Sequence, residues 1–169
     1  MSLETNNIGL NAKHFDDILQ LVTFFLGDEE FAVDILNIQG INRMIEITTV
    51  PNTPDFVEGI INLRGKVIPL INLRRRLGMS PLQWDRSTRF IVVELTNKVI
   101  GFIVDSVSEV LRISKDTIEP PPTMMNGVKS DYITAVAKVQ DRLLILLDLQ
   151  KVLTTVESDE LNKMTENNN

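Results

Sequence analysis

The sequence predicts a mainly β protein, made of two tandem five-stranded antiparallel barrels that arose by internal duplication, with a few short helices. Its apolar runs, rich in Val, Ile, Leu and Phe, are short and often interrupted by turn residues, which is typical of many short strands. Four pairs of these runs are predicted to form hairpins around two-residue turns. The hairpins recur at nearly constant spacing, which indicates a repeated unit.

The four hairpins are predicted in chain order. Their strands cover residues 19–26 and 29–34, 59–63 and 66–72, 90–95 and 98–105, and 133–139 and 142–148. The spacing from Asp34 to Asp105 nearly equals the spacing from Asn72 to Asp148. The first and third hairpins, and the second and fourth, are therefore interpreted as copies, with each pair of polar residues at equivalent positions. A domain of residues 18–155 is then divided into halves of roughly 18–80 and 88–155 that exchange segments.

The segments between the hairpins are predicted to be loops and short helices. An apolar stretch follows the first hairpin of each half, and a proline-containing loop leads to the second hairpin. Helices are expected at 73–77, where Gly78 suits the C′ position, and at 149–156, with a weak continuation toward Met164. Three consecutive prolines make 119–127 an extended loop, because proline has no N–H for a ladder. Residues 1–17 and 156–169 are expected to be flexible tails.

The bulk composition limits the partners of this chain. Its 169 residues are 43% hydrophobic and 24% charged, which is typical of a globular domain. Seventeen basic and 23 acidic residues give a net charge of −6, so nucleic acid is not expected as a partner. No apolar run approaches the roughly 18 residues that span a bilayer, and there is no cysteine. A cytoplasmic protein without direct membrane insertion is expected.

No pattern in the sequence indicates catalytic residues, a cofactor or a metal ion. The single histidine, His14, lies in the N-terminal tail, so a catalytic triad is not expected. The run from His14 to Asp17 lacks the ligand spacing of a specific metal site. Asp28, Glu29 and Glu30 cluster at a hairpin tip and are interpreted as solvated. No glycine-rich nucleotide loop follows a strand. A small hydrolase with a buried carboxylate pair, and a nucleic-acid-binding barrel, stay open as alternatives.

Two further features are interpreted as structural. Arg74, Arg75 and Arg76 end a short helix, where they complement its macrodipole and are expected to face solvent. Met124 and Met125 lie in the proline-rich loop and are interpreted as loop packing, with a docking surface as the alternative.

The second hairpins of the two halves differ at their turns. Their apolar positions agree, but Arg64-Gly65-Lys66 in one half corresponds to Gln140-Asp141-Arg142 in the other. Packing explains the shared positions and leaves the cation unexplained. The guanidinium of Arg64 is a rigid donor fork on a permissive turn, suited to carboxylates or carbonyls of another chain. A solvated turn arginine is the alternative.

The same hairpin carries a resemblance to a known family. The run Gly59-Ile60-Ile61-Asn62-Leu63-Arg64-Gly65, followed by residues 67–74, resembles the signature of the CheW family of bacterial chemotaxis adaptors. Residues 27–36 resemble the family's first hairpin, 52–54 its approach to the signature, and 104–111 its second-half counterpart. The resemblance covers about residues 18–155.

The resemblance implies a fold and a function. The fold is a pair of SH3-like barrels without catalytic activity or cofactor. The function is that of an adaptor that couples the cytoplasmic tips of methyl-accepting chemoreceptors to a CheA-type histidine kinase, whose regulatory domain has the same fold. The protein is then expected in the cytoplasm, recruited to membrane-associated receptor arrays, and contacts between like copies in these arrays are left open. An adaptor of a non-flagellar chemosensory pathway is the alternative.

The resemblance also implies where a receptor binds. Its helical hairpin is expected in a groove between the barrels, in a helix-in-groove mode. The expected receptor-binding residues are Val33, Ile35, Ile38 and Ile41 from one half, Val104 and Val107 from the other, and Asn62, Arg64 and Gly65 at the signature turn. Kinase-binding residues are not assigned. The sequence departs from the family at Gly40, where a glutamate that can pair with the signature arginine is common, and at Ser106, where glycine is common.

Overall fold

The computed structural model describes residues 17–121, 124–125, 128–153, 157, 161 and 163–165, with the backbone alone between 124 and 130. Most of the two predicted tails, including His14, and the side chains of Met124 and Met125 lie outside this description. The strands are β1 (Ile18–Leu26), β2 (Glu29–Asp34), β3 (Ile38–Arg43), β4 (Val57–Leu63), β5 (Lys66–Asn72), β6 (Arg89–Leu95), β7 (Lys98–Val104), β8 (Ser106–Ser114), β9 (Ile118–Glu119), β10 (Met124–Met125), β11 (Val128–Lys129), β12 (Ile133–Val139) and β13 (Arg142–Leu147). All four predicted hairpins are present.

Two helices of one turn each follow the second hairpins. They are α1 (Leu73–Arg76) and α2 (Leu149–Val152), and their N-caps are Asn72 and Asp148. Helix α1 ends close to its predicted end, and Gly78 follows it with a φ of +82°, which suits a glycine. Helix α2 ends before the predicted 156, and residues 154–156 lie outside the description.

The main strands form two sheets with the same internal order. Sheet 1 runs β8-β1-β2-β13-β12-β9 and sheet 2 runs β3-β6-β7-β5-β4, while β10 and β11 form a separate pair. Each sheet contains one parallel pair, β2 with β13 and β7 with β5. In sheet 2, a bridge from Thr48 to Ile60 takes the place that β9 holds beside β12 in sheet 1, which is why sheet 1 has six strands and not five. The predicted mainly β, duplicated fold is confirmed.

The two sheets also agree residue by residue. Leu70 pairs with Gly101 in sheet 2 as Leu146 pairs with Ala32 in sheet 1. Leu70 of the second hairpin is therefore equivalent to Leu146 of the fourth, and Ala32 of the first hairpin is equivalent to Gly101 of the third. We call this relation the register correspondence between the sheets.

The register correspondence confirms one predicted spacing and corrects the other. The second and fourth hairpins match as predicted, since Asn72 and Asp148 stand at equivalent positions. The predicted equivalence of Asp34 and Asp105 is wrong, because in the register correspondence Asp34 of sheet 1 is equivalent to Ile103 of sheet 2. Each aspartate follows a first hairpin, but the two stand at different registers.

Each sheet takes its first hairpin from the other half of the chain. Strands β1 and β2 come from the N-terminal half but lie in sheet 1 between β8 and β13. Strands β6 and β7 come from the C-terminal half and lie in sheet 2 between β3 and β5. Neither half of the chain can therefore complete a sheet by itself.

The described residues form three apolar cores against the faces of the sheets, and the alternation of side chains along the strands explains them. In β6, Ile91 and Val93 belong to a central cluster that residues of both sheets share, whereas Phe90 and Val92 belong to the core of sheet 2. Strand β13 alternates in the same way between the central cluster and the core of sheet 1. Because successive side chains of a strand point to opposite faces, a strand that is apolar at every position buries both faces.

The arginine run at α1 is largely built into the fold, so the prediction that it faces solvent is wrong for Arg74. This side chain is 12% exposed, and its Nε and Nη2 donate to Asp105 at 2.8 and 2.6 Å. The hydrogen bond to Asp105 raises the pKa of Arg74 above its ordinary value. The same carboxylate accepts from the N–H of Gly27 at 2.6 Å, so it joins α1 to the β1–β2 turn. Leu73 packs in the central cluster, and this contact places the next residue, Arg74, beside Asp105.

Arg76 is the second correction in this run. Its guanidinium lies 5.1 Å from the ring centroid of Phe56 and 5.3 Å from that of Tyr132, and the register correspondence makes these two rings equivalent. It also donates to the carbonyl oxygen of Val152. Arg75, at 44% exposure, faces solvent as predicted. Burial of two of the three arginines follows from the position of the short helix against both sheets.

Candidate functional site

Two of the expected receptor-binding residues lie in the protein interior. Val33 and Val104 are 3% and 1% exposed, and both belong to the central cluster. Their side chains are therefore not available for direct contact with a docked helix in this structure. They support the backbone from which the neighbouring residues project.

The edge strand β3 presents two of the other expected residues. Ile38 pairs with Val93 and Ile41 with Ile91, and both partners belong to the central cluster. Paired residues share one face of a sheet, so both isoleucines stand on the face toward that cluster. Ile38 is half-buried, whereas Ile41 is 40% exposed.

The edge of sheet 1 repeats this arrangement on β8. Val107 and Val110 pair with Phe24 and Val22 of the central cluster, at the positions equivalent to the two isoleucines. Val107 is half-buried and Val110 is 56% exposed. Val107 was predicted from the sequence and Val110 was not, although Val110 is equivalent to Ile41 in the register correspondence. We call these residues the apolar edge strips: Ile38 and Ile41 on sheet 2, and Val107 and Val110 on sheet 1.

A short 3-10 turn between β2 and β3 presents the most exposed large apolar side chain among the described residues. Leu36 is 85% exposed, while its neighbour Ile35 packs against the central cluster. Asp34 fixes the turn, because its Oδ1 accepts from the N–H of Leu36 at 2.9 Å. Ile35 was predicted from the sequence and Leu36 was not, since an apolar run does not show which of two neighbouring side chains points outward.

The signature turn, Arg64-Gly65, is shaped by its neighbours and leaves one side chain free to bind. Arg64 and Gly65 have φ values of +54° and +85°, as in a type I′ hairpin turn. The Oδ1 of Asn62 accepts from the N–H of Gly65 at 3.0 Å, so Asn62 and Gly65 define the turn. The side chain of Arg64 is exposed, and no carboxylate in the described part of the chain lies within ion-pair distance of it.

The first glycine of the signature is required by a close approach of two chain segments. Gly59 has a φ of +150°, and a Cβ there would lie 2.2 Å from the carbonyl oxygen of Thr48. The Thr48–Ile60 bridge beside it joins β4 to the preceding segment. This bridge positions the hairpin that carries Arg64.

The signature turn and β3 border one groove of about 430 Å³. We call it the β3/β5 groove, and it is lined by Gln39, Gly40, Ile41, Asn42, Leu63, Arg64, Lys66, Ile68, Val92 and Val99. Its apolar lining belongs largely to the core of sheet 2, and the exposed Arg64 and Lys66 bring positive charge. The groove unites Ile41 with Arg64 and places Gly40 beside them. A Cβ on Gly40 would meet nothing nearer than the Oδ1 of Asn42 at 4.0 Å.

The carboxylates do not form an active site in the described part of the chain. Glu30 was predicted to be solvated, but it is 6% exposed. It lies on β2, between β1 and β13, and its carboxylate is 3.6 Å from the Nε of Arg142. No second carboxylate is buried among the described residues, so the pair that a hydrolase needs is not found there. The same residues hold no group of three His, Asp or Glu side chains suited to a metal ion. None of their helices is long and apolar enough to cross a bilayer.

Comparison with known proteins identifies the family. The model of the CheW-like domain matches residues 20–157. Chemotaxis protein CheW of Klebsiella aerogenes is 36% identical over 138 residues, which are 82% of this chain and 83% of that protein. Chemotaxis protein CheW of Helicobacter pylori is 37% identical over 138 residues, again 82% of this chain and 83% of that protein.

A solved structure shares the fold as well as the sequence. The crystal structure of the scaffolding protein TtCheW from Thermoanaerobacter tengcongensis has a TM-score of 0.76 and 35% sequence identity, and the match covers 82% of this chain and 90% of that one. The resemblance first seen around the signature turn is thus confirmed over most of the chain. The chain belongs to the CheW family, whose named members are chemotaxis and scaffold proteins and not enzymes.

Proposed function

We propose that this protein is a non-enzymatic adaptor that binds the cytoplasmic tip of a chemoreceptor and the regulatory domain of a CheA-type histidine kinase at the same time. The observation that carries the proposal is the pair of apolar edge strips, which stand at equivalent positions of the two sheets. Each strip sets an exposed side chain beside a half-buried one. Such a surface suits the apolar face of an amphipathic helix. Membership of the CheW family directs the proposal to chemoreceptor helices.

In the proposed complex, different residues determine the affinity for the receptor helix and the orientation of that helix. Ile41 and Val110 are the exposed apolar anchors, and burying them against a helix supplies affinity. Arg64 is the exposed cation that lines the same groove as Ile41, and it fixes the register of the helix by pairing with polar groups. The adaptor then acts on the kinase by holding it in one arrangement with the receptor, which shifts its population toward an active or inactive state. The protein works in the cytoplasm and joins membrane-associated receptor arrays through this contact.

Reconstitution with receptor-containing membranes and a CheA-type kinase tests the proposal. The wild-type protein is expected to sediment with the membranes and to change kinase activity. Ile41→Asp and Val110→Asp should each weaken sedimentation with receptor, because each places a charge in the proposed apolar contact. Leu82→Asp is the matched control, since Leu82 is 51% exposed but lies in the loop before β6. A wild-type protein that neither sediments with receptor nor alters the kinase contradicts the proposal.

A further inference from the structure

One place in sheet 1 brings an arginine between two carboxylates. Glu109 of β8 accepts from the Nη2 of Arg142 on β13 at 2.9 Å, and Glu30 of β2 lies 3.6 Å from the Nε of the same arginine. The hydrogen bond to Glu109 is the main reason why the pKa of Arg142 lies above its ordinary value. This part of sheet 1 therefore supplies acids for its own cation.

The equivalent place in sheet 2 keeps the cation and lacks both acids. The register correspondence leads to Gly40 on β3, Val99 on β7 and Lys66 on β5. Arg64 adds a second cation at the turn, where sheet 1 has Gln140. The four equivalent positions therefore carry a formal charge of −1 in sheet 1 and +2 in sheet 2. They are Glu109, Glu30, Arg142 and Gln140 in sheet 1, and Gly40, Val99, Lys66 and Arg64 in sheet 2. Within the described residues, neither Arg64 nor Lys66 forms an ion pair.

The position of the missing carboxylate is open to another molecule. All four residues of sheet 2 line the β3/β5 groove of about 430 Å³. Gly40 leaves the space that the side chain of Glu109 fills in sheet 1, and a Cβ there would have no contact shorter than 4.0 Å. The apolar side chains of Leu63 and Ile68 line the same groove. A side chain with an apolar stem and an acidic end matches this combination.

We propose that the β3/β5 groove binds an acidic side chain of the partner, which takes the place that Glu109 holds in sheet 1. This proposal rests on the proposed function, because the partner is the chemoreceptor tip. The protein carries a net charge of −6 and repels acidic partners overall, so two cations without internal acids form a local site of opposite sign. Arg64 and Lys66 both donate to the bound carboxylate. Because Gly40 supplies no carboxylate of its own, the acid comes from the partner.

A titration that needs no receptor tests whether the groove accepts a carboxylate. Gly40→Glu introduces a carboxylate at the position equivalent to Glu109, and NMR measures the pKa of the introduced group. Its pKa is expected below that of glutamate in an unstructured peptide, because the two cations stabilise its charged form. The lowering should disappear when Arg64→Gln and Lys66→Gln are added. An ordinary pKa in the single variant overturns the proposed carboxylate site.

A binding measurement tests the partner. The probe is the purified cytoplasmic signalling fragment of a chemoreceptor from the same organism, titrated into wild type, Gly40→Glu and Gly40→Gln. The internal acid of Gly40→Glu competes with that of the partner and should weaken binding about tenfold. Gly40→Gln has nearly the same size without the charge and should change binding less than about twofold. Equal weakening by both variants, or no change in either, overturns the proposal.

The two proposals fail in different ways. If the wild-type protein binds the fragment and Gly40→Glu binds it equally well, the adaptor function stands and the acidic contact is wrong. If the wild-type protein does not bind the fragment, the adaptor function fails and the chemoreceptor is excluded as the source of the acid. The NMR titration then still decides whether the groove takes a carboxylate.

Discussion

Asp105→Ala removes the acceptor of three hydrogen bonds, and we expect it to lower the free energy of unfolding by about 3 kcal/mol. In the wild-type protein, Asp105 accepts from Arg74 at 2.8 and 2.6 Å and from the N–H of Gly27 at 2.6 Å. A hydrogen bond to a charged group contributes roughly 1.5–3 kcal/mol, and breaking a buried ion pair costs about 3–5 kcal/mol. The side chains of Arg74 and Asp105 are 12% and 18% exposed, so the lower part of the second range applies.

Urea unfolding followed by circular dichroism measures this loss. Arg75→Gln is the matched control, because the ion pair of Arg75 with Glu58 is 3.6 Å long and its arginine is 44% exposed. We expect that control to lose less than about 0.5 kcal/mol. Arg74→Ala should cost nearly as much as Asp105→Ala, and the double variant little more than either, since both remove one interaction. A loss in Asp105→Ala no greater than that in Arg75→Gln would refute the argument that this pair holds α1 to the β1–β2 turn.

Gly59→Ala should lower the free energy of unfolding by at least about 2 kcal/mol, because its Cβ would lie 2.2 Å from a backbone carbonyl oxygen. Gly65→Ala has no atom within 4 Å of its Cβ and should lower it by about 1 kcal/mol, because of the positive φ. Equal losses in thermal unfolding would argue against the close approach. Arg64→Glu should shift the melting temperature by less than about 3 °C, because the side chain is exposed, and should impair coupling to the receptor. A large melting shift would instead indicate a structural role. Arg142→Gln should lower the urea concentration at the midpoint of unfolding, because the buried Glu30 loses its cation. Adding Glu30→Gln should restore most of the stability in urea unfolding, and no recovery would contradict this reasoning.

The hairpins and the duplication could be predicted because their signals are local. Two-residue turns and the alternation of buried side chains act over a few neighbouring residues. The order of strands within the sheets is not local, since the pairing of Ala32 with Leu146 leaves no mark in either segment. The solvent exposure predicted for Arg74, Arg76 and Glu30 was wrong for the same reason. Charged residues are usually exposed, but the contacts that bury these three come from distant parts of the chain.

The site was predictable where the chain could be compared with itself. Arg64 was predicted as a binding residue because the equivalent turn carries Gln140, a difference that packing does not require. Val110 was within reach by the same comparison, once the first hairpins are aligned in their correct register. Val33 and Val104 could not be separated from surface residues, because an apolar strand position does not show which face another sheet covers. The β3/β5 groove depends on the register of four strands and is visible only in the folded protein.

The exchange of first hairpins has a consequence for how the chain matures during translation. Strands β1 and β2 leave the ribosome first, but their neighbours β8 and β13 in sheet 1 come from the other half. Sheet 2 needs only β3 to β7 and can form earlier. Until the last strands emerge, the N-terminal hairpin has open edges on both sides, which invite pairing with other nascent chains. We expect limited proteolysis of stalled nascent chains to show that sheet 2 becomes protected first. The N-terminal hairpin should remain sensitive to protease, and bound to chaperones, for the longest time.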